Sequence, residues 1–321
     1  MGPQALRGVR ADERRRAAVA LRAVVAVGSV AGHRPVLVDE VAFLLRPRDD
    51  EGWVIDGTVG MGGHAEVLLE RSPRARLLGL DVDPAALEHA RARLARFGDR
   101  ARLVRASFRR IAAVAEAHGA VPAHAVLLDL GVSSWQLEAS GRGFSFQRDE
   151  PLDMRLDPDA AVTAADLLNR LPEPELARLL AAYGDEPYAR RIARAIVRRR
   201  PLHRTGELVA AVASAVPRRA WPRRVHVATR TFQALRMAVN DELGALREAV
   251  PAAAGVLAPG GRLAVISFHS GEDRIVKQAF RALEGAGYAG LEPAPIRPGP
   301  DEVQANPRAR SARLRVLERL A

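Results

Sequence analysis

The chain has 321 residues, 48% of them hydrophobic, with no cysteine and a formal net charge of +11. That length and apolar content support one large or two ordinary globular domains, and the missing thiols exclude disulfides, thiolate nucleophiles and zinc–thiolate sites. The eight histidines have no ligand-spaced pair, so no metal is expected, and the basic balance, arginine throughout except Lys277, suits a polyanion such as RNA.

In chain order, Arg14-Arg15-Arg16 followed by Ala17 to Val27 has the outline of a secretory signal. Arg22 interrupts the apolar middle, and the run is too short to span a bilayer. Residues 1–32 are therefore expected to be a basic extension, disordered or weakly helical, and no other segment reads as membrane-spanning.

The most informative segment comes next. Val54-Ile55-Asp56 is an apolar strand ending in an acid, and Gly57, Gly60, Gly62 and Gly63 follow before a helix opens at His64. Glycines at these spacings let the backbone turn sharply and approach a ligand. A second strand, Arg76 to Asp81, ends in another acid, placed where a ribose-binding carboxylate is expected, and Asp83-Pro84 starts a helix. The loop alone leaves NAD and S-adenosylmethionine both open, because Gly60 to Ala65 also satisfies the dinucleotide pattern. A helix N-terminus suits the methionine carboxylate of one ligand as well as the pyrophosphate of the other.

Strands near 53–56, 76–81, 102–105 and 124–129 alternate with helices near 63–71, 84–96 and 108–118, which predicts an open parallel α/β sheet. From Leu137 to Arg236 the pattern turns helical, with leucines at 167, 168, 171, 176, 179 and 180. The strand Leu263–Phe268 then resumes the sheet, so a helical domain is expected between strands four and five. Residues 312–316 alternate apolar and basic, as expected of a final edge strand.

The helical segment carries the nucleic-acid signal. Arg190, Arg191, Arg194, Arg198, Arg199, Arg200 and Arg204 crowd a stretch without acids, and Arg218, Arg219, Arg223, Arg224 and Arg230 surround Trp221, an aromatic able to stack on a base. Glu207 is the single acid between Pro187 and Asn240. The candidate RNA contacts are Arg190, Arg194, Arg198, Arg199, Arg223, Arg224 and Trp221. Each arginine taken alone reads more readily as part of a solvated face, and the cluster as an RNA contact.

Val256 to Phe268, a helix end, a Pro-Gly-Gly turn and a strand, resembles the fifth strand of class I methyltransferases, which favours S-adenosylmethionine over NAD. Longer strings are more specific. His33 to Leu37, Asp56 to His64, Leu128 to Ser134, Arg142 to Phe146, Pro151 to Arg155, Ala228 to Arg236, Ser267 to Ser270, Glu272 to Lys277 and Asn306 to Ser311 together resemble one family, the bacterial 16S rRNA cytosine-N4 methyltransferases (RsmH, also called MraW). The resemblance implies a class I, Rossmann-like methyltransferase sheet over 33–136 and 237–321, with an all-helical RNA-substrate domain inserted at 137–236. It implies S-adenosylmethionine as the donor, contacted at Gly62, Gly63, His64, Asp81, Phe108, Asp129 and Gln136. It also implies a cytoplasmic enzyme acting on 16S rRNA of the small ribosomal subunit, at a cytidine of the P-site region.

Methyl transfer to an exocyclic amine needs positioning and a place for the departing proton. Asp129 and Asp153 are the candidate carboxylates, and His269 the candidate proton acceptor. Trp135 and Gly271 depart from the family pattern, and the segment from Phe280 to Asp301 is short for it. These departures keep a second reading open, a nucleotide-binding but non-catalytic rRNA-binding factor of ribosome assembly; a dehydrogenase comes third.

Overall fold

A computed structural model describes residues 35–47, 51–223, 225–292 and 294–321. The expected extension at 1–32 and the candidate Arg224 lie outside the described residues. The chain forms two compact units, one running to Gly131 and resuming at Leu246, the other Val132–Ala245.

After helix α1 (Val38–Leu44), the first unit alternates β1 (Glu51–Asp56), α2 (Gly63–Arg71), β2 (Arg74–Asp81), α3 (Pro84–Leu94), β3 (Ala101–Arg105), α4 (Ile111–Ala117) and β4 (Ala123–Asp129). Leu77, Leu78 and Leu80 of β2 and Leu127 and Leu128 of β4 are fully buried. Such near-continuous apolar runs are expected of parallel strands covered on both faces. Asp83 caps α3 by accepting from Ala85 N at 3.1 Å, with Pro84 at the first helical position.

The second unit contains α5 (Ser134–Glu138), α6 (Ala164–Arg170), α7 (Glu173–Gly184), α8 (Ala189–Val197), α9 (Thr205–Ala215) and α10 (Thr229–Val239). Its core joins Leu168, Leu180, Ile192, Ile196, Leu208 and Phe232. Along α8, Ile192 and Ile196 face inward while Arg190, Arg194 and Arg198 are exposed, the one-sided pattern of a surface helix.

Helix α11 (Glu242–Gly255) leads into β5 (Leu257–Ser267), followed by α12 (Ser270–Leu283), β6 (Tyr288–Gly290), α13 (Pro300–Ala305) and β7 (Arg313–Arg319). The sheet order is β3-β2-β1-β4-β5-β7-β6, parallel through β5 and antiparallel across β7 and β6. This is a class I methyltransferase sheet. The chain order reverses between β1 and β4, the switch point outside whose strand ends open α/β sheets bind ligands.

One expectation is corrected. The alternating segment 312–316 belongs to β7, which lies inside the sheet because short β6 covers its outer side. Its arginines are matched by α12: Asp273 accepts from Arg315 Nε at 2.7 Å and from Arg313 Nη1 at 3.2 Å. Among the described residues no helix is long and apolar enough to cross a membrane.

Helices α7 and α10 meet at a residue with no side chain. A Cβ on Gly184 would stand 2.6 Å from Arg230 O and 3.0 Å from Ala234 Cβ. Gly184→Ala is expected to destabilise the protein by about 1–3 kcal/mol, the usual consequence of overpacking; urea unfolding checks this, and an unchanged midpoint would show that the helices part freely.

Candidate functional site

The strand β1 ends at Asp56, which is 1% exposed, and the chain turns through Gly60 and Gly62, both at positive φ, into α2. The loop remains tied to the sheet on both sides. Gly57 N donates to Leu127 O and Val59 N to Leu80 O, each at 2.9 Å. Asp81 Oδ2 accepts from Gly60 N at 2.9 Å while its Oδ1 accepts from Asp83 N at 2.9 Å. From the other side, Asp129 N donates to Thr58 Oγ1 at 2.6 Å.

The glycines divide by role. A Cβ on Gly63 would stand 2.5 Å from Pro35 Cγ, and one on Gly57 2.6 Å from Leu128 Cδ2, so these two admit close packing of the protein on itself rather than of a ligand. Gly60 alone of the four faces open space, with Thr58 O at 3.8 Å as its nearest contact. Phe108, half-buried, starts a 3-10 turn after β3 and backs onto Gly57.

Beneath the loop lies a group of ionisable side chains. His64 is 6% exposed, its Nε2 is 3.4 Å from Asp129 Oδ2, and neither ring nitrogen has a hydrogen-bond partner. Asp129 Oδ1 is buried and unpartnered as well. Desolvation by burial pushes the Asp56 carboxyl up to about 7; His64 and the Thr58 N–H pull it down, while Asp129 and Asp81 push it further up. Burial likewise raises Asp81, to about 6, against the N–H groups of Asp83 and Gly60.

His269 occupies a different position from the one a proton acceptor needs. It is the N-cap of α12, where Nδ1 accepts from Gly271 N at 3.1 Å and Glu272 N at 3.3 Å, and Nε2 lies 3.1 Å from Glu272 Oε1. With Nδ1 engaged by two backbone N–H groups, that nitrogen is taken up by the helix cap. A Cβ at Gly271 would stand 3.1 Å from that Nδ1, so the glycine fits this cap closely.

In the second unit, Gln136 is 5% exposed and closes the capping box of α5: its Oε1 accepts from Ser133 N at 2.9 Å, and its own N–H donates to Ser133 Oγ at 3.2 Å. Asp153 is gripped bidentately by Arg155, with Nε to Oδ1 and Nη2 to Oδ2 both 2.8 Å. Burial raises its carboxyl, but the hydrogen bonds and charge of Arg155, with Arg142 adding, hold it below the usual carboxylate range. Asp153 is therefore an ionised acceptor at neutral pH. Between them Met154 is fully buried at φ 59, a strained backbone that its environment fixes through Met154 N donating to Arg142 O at 2.8 Å. Trp135 carries the Arg142 guanidinium over its ring at 5.7 Å.

The arginine run separates in the same way. Arg200 donates to Leu168 O and Leu171 O at the end of α6, and Arg204 pairs with Asp149, so these two serve the fold. Arg190, Arg198, Arg199 and Arg223 are exposed, and exposed Arg194 meets Glu173 Oε1 at 3.4 Å, a surface pair worth little. Trp221 is half-buried, its Nε1 donating to Val216 O at 3.1 Å and Arg218 covering its ring at 4.2 Å.

The MraW methylase family model matches residues 30–320. A ribosomal RNA small subunit methyltransferase H from Heliobacterium modesticaldum is 51% identical over 310 residues, 90% of this chain and 98% of that protein. One from Geobacter sulfurreducens is 50% identical over 308 residues, 90% of this chain and 99% of that protein. The chain belongs to the MraW methylase family. A solved rRNA methylase from Streptococcus thermophilus aligns at TM-score 0.42 and 14% identity, covering 88% of this chain and 94% of that one.

The methyl donor of this methylase is S-adenosylmethionine, and the first unit fits it. The switch-point loop offers an open backbone at Gly60, a helix N-terminus at Gly63, and buried polar atoms on His64 and Asp129 without hydrogen-bond partners among the described residues. Sequence reasoning missed Thr58, whose hydroxyl fixes Asp129; a threonine in a glycine loop carries no separate signal.

The raised acids set a pH dependence. Folded Asp56 and Asp81 hold protons at pH values where the unfolded chain has released them, so the folded state binds more protons than the unfolded. Their contribution to stability is complete below about pH 4 and is lost as pH rises through about 6 and 7. Donor-free protein should lose stability from pH 5 to 8, by at most about 1.4 kcal/mol per pH unit for each group, and Asp56→Asn should flatten that decline. Denaturant midpoints across this range check it; parallel curves for parent and variant would contradict it.

Proposed function

We propose that the chain methylates the exocyclic N4 amine of one cytidine in the P-site region of 16S rRNA, in the cytoplasm, with S-adenosylmethionine as donor. The observation that carries this reading is the 50–51% identity, over 90% of the chain, to small subunit rRNA methyltransferases, together with the family strings from His33 to Ser311. The absence of cysteine supports N4 over C5, because attack on the pyrimidine ring to activate C5 ordinarily needs a thiolate and an amine nucleophile does not.

The donor, when bound, supplies an electrophilic methyl group on a sulfonium. In the reading we favour, Gly62, Gly63 and His64 hold its amino-acid end, Asp81 its ribose, and Phe108 flanks its adenine. Asp129 is the carboxylate of the first unit available to accept hydrogen bonds from the amine protons, which turns the nitrogen lone pair toward the methyl group. The displaced proton passes to a carboxylate or to water. His269 is assigned a structural role, because its Nδ1 caps the α12 N-terminus. Gln136 shapes the start of α5, and the exposed arginines of the second unit take the rRNA backbone. Extrusion of the base from its stack costs a few kcal/mol, less in a single-stranded loop.

Mass spectrometry of nuclease-digested rRNA tests the product. The parent strain should contain N4-methylated cytidine at one site that a deletion strain lacks; a deletion strain retaining the mark defeats the assignment. Replacing Arg194, Arg198 and Arg199 together by glutamine should weaken rRNA binding and reduce its salt slope by roughly one per lost phosphate contact, while donor binding survives. An unchanged slope would make them an ordinary solvated face. His269→Ala should lower stability by about 1 kcal/mol through the lost cap and leave the pH–rate profile unshifted; loss of a titration from that profile would restore it as the base.

A further inference from the structure

The ionisable group under the glycine loop is built unlike a simple ligand cradle. Asp56 from β1 faces His64 from α2, Asp81 from β2 and Asp129 from β4, with Asp83 beside Asp81. Asp56 and Asp129 thus both act on the His64 imidazole, and Asp81 acts on Asp56. Asp81 is compensated by two backbone N–H groups and Asp56 by one, whereas His64 has no hydrogen-bond partner and stands 3.4 Å from Asp129. A buried cluster of this kind does not carry three full negative charges, because like charges at close range and poor solvation oppose it. Asp56, 1% exposed, is the member that keeps a proton in the donor-free protein. The burial-driven rise of Asp56 to about 7 agrees with that.

A cation brought to such a cluster favours its ionised form. S-adenosylmethionine carries one at its sulfur, and S-adenosylhomocysteine, left after methyl transfer, is a neutral thioether with the same amino, carboxylate, ribose and adenine groups. Once the titration of each ligand's own amine is subtracted, a difference in proton release between the two reports the sulfonium.

We propose that Asp56, set beside His64 and Asp129, holds the proton of a unit that reads the charge of the donor, giving it up to solvent when the sulfonium binds and keeping it when the thioether binds. The unit thereby sets the preference for fresh donor over spent product. Preference grows as pH rises, by up to tenfold per pH unit for one proton linked to binding. This inference rests on the donor assignment made above.

Titration calorimetry of both ligands, from pH 5.5 to 8 in buffers of differing ionisation heat, tests it. The expected result is release of a fraction of a proton up to about one with S-adenosylmethionine near pH 6 to 7, distinctly less with S-adenosylhomocysteine, and a donor affinity that climbs with pH while that of the thioether stays nearly level. Asp56→Asn retains the acceptor for Thr58 N and should abolish the difference; His64→Gln, a second variant without the imidazole, should reduce it. Equal proton release for the two ligands, or a difference unchanged in folded Asp56→Asn, overturns the proposal. A parent protein that binds neither ligand overturns the donor assignment itself.

Discussion

The hydrogen bonds that fix the glycine loop after β1 are the constraint on which the rest of the proposed donor site depends. Gly60 N is held by Asp81 at the end of β2, and Thr58 Oγ1 holds Asp129 N at the end of β4, so one short loop links the two strands that flank β1. With the loop fixed, α2 starts at a set position, its N-terminus opens toward the switch point, and His64 is carried beneath Asp129. Packing of Pro35 on Gly63 and Leu128 on Gly57 closes the underside. None of these parts binds anything alone; together they leave open backbone and unpartnered polar atoms at one place.

That place is electrostatically costly. Burying Asp56 and Asp81 near Asp129 opposes ionisation, and a fold selected for stability alone would pair these acids with arginine, of which the chain has many. Asp153 and Asp273 are paired in that way, and both are held below the usual carboxylate range. The contrast separates acids paired within the structure from acids buried without a cationic partner, the pattern expected where local rules are broken for function.

The parts of the fold that depend on local sequence were legible. Helix α2 spans the expected 63–71, because glycines mark its start and the apolar spacing marks its face; Asp56 and Asp81 end their strands where apolar runs stop. What was not legible depends on distant partners. The proximity of His64 and Asp129 joins residues far apart in sequence. The interior position of β7 follows from three residues of β6, too few to carry a periodic pattern. Arg200 and Arg204 look like the other arginines of their run until the carbonyls of α6 and the carboxylate of Asp149 appear beside them. His269 did carry a local signal: an acid three residues later, Glu272, completes a capping box in which histidine replaces the usual serine or threonine.

The central claim is that the loop tied to Asp81 is the donor site, and equilibrium dialysis of labelled S-adenosylmethionine against Asp81→Ala tests it most directly. Removing this carboxylate takes away the ribose acceptor and releases Gly60 N, so affinity should fall by about tenfold or more while circular dichroism shows an intact fold. Parent-like affinity in the folded variant would place the donor elsewhere and contradict the account.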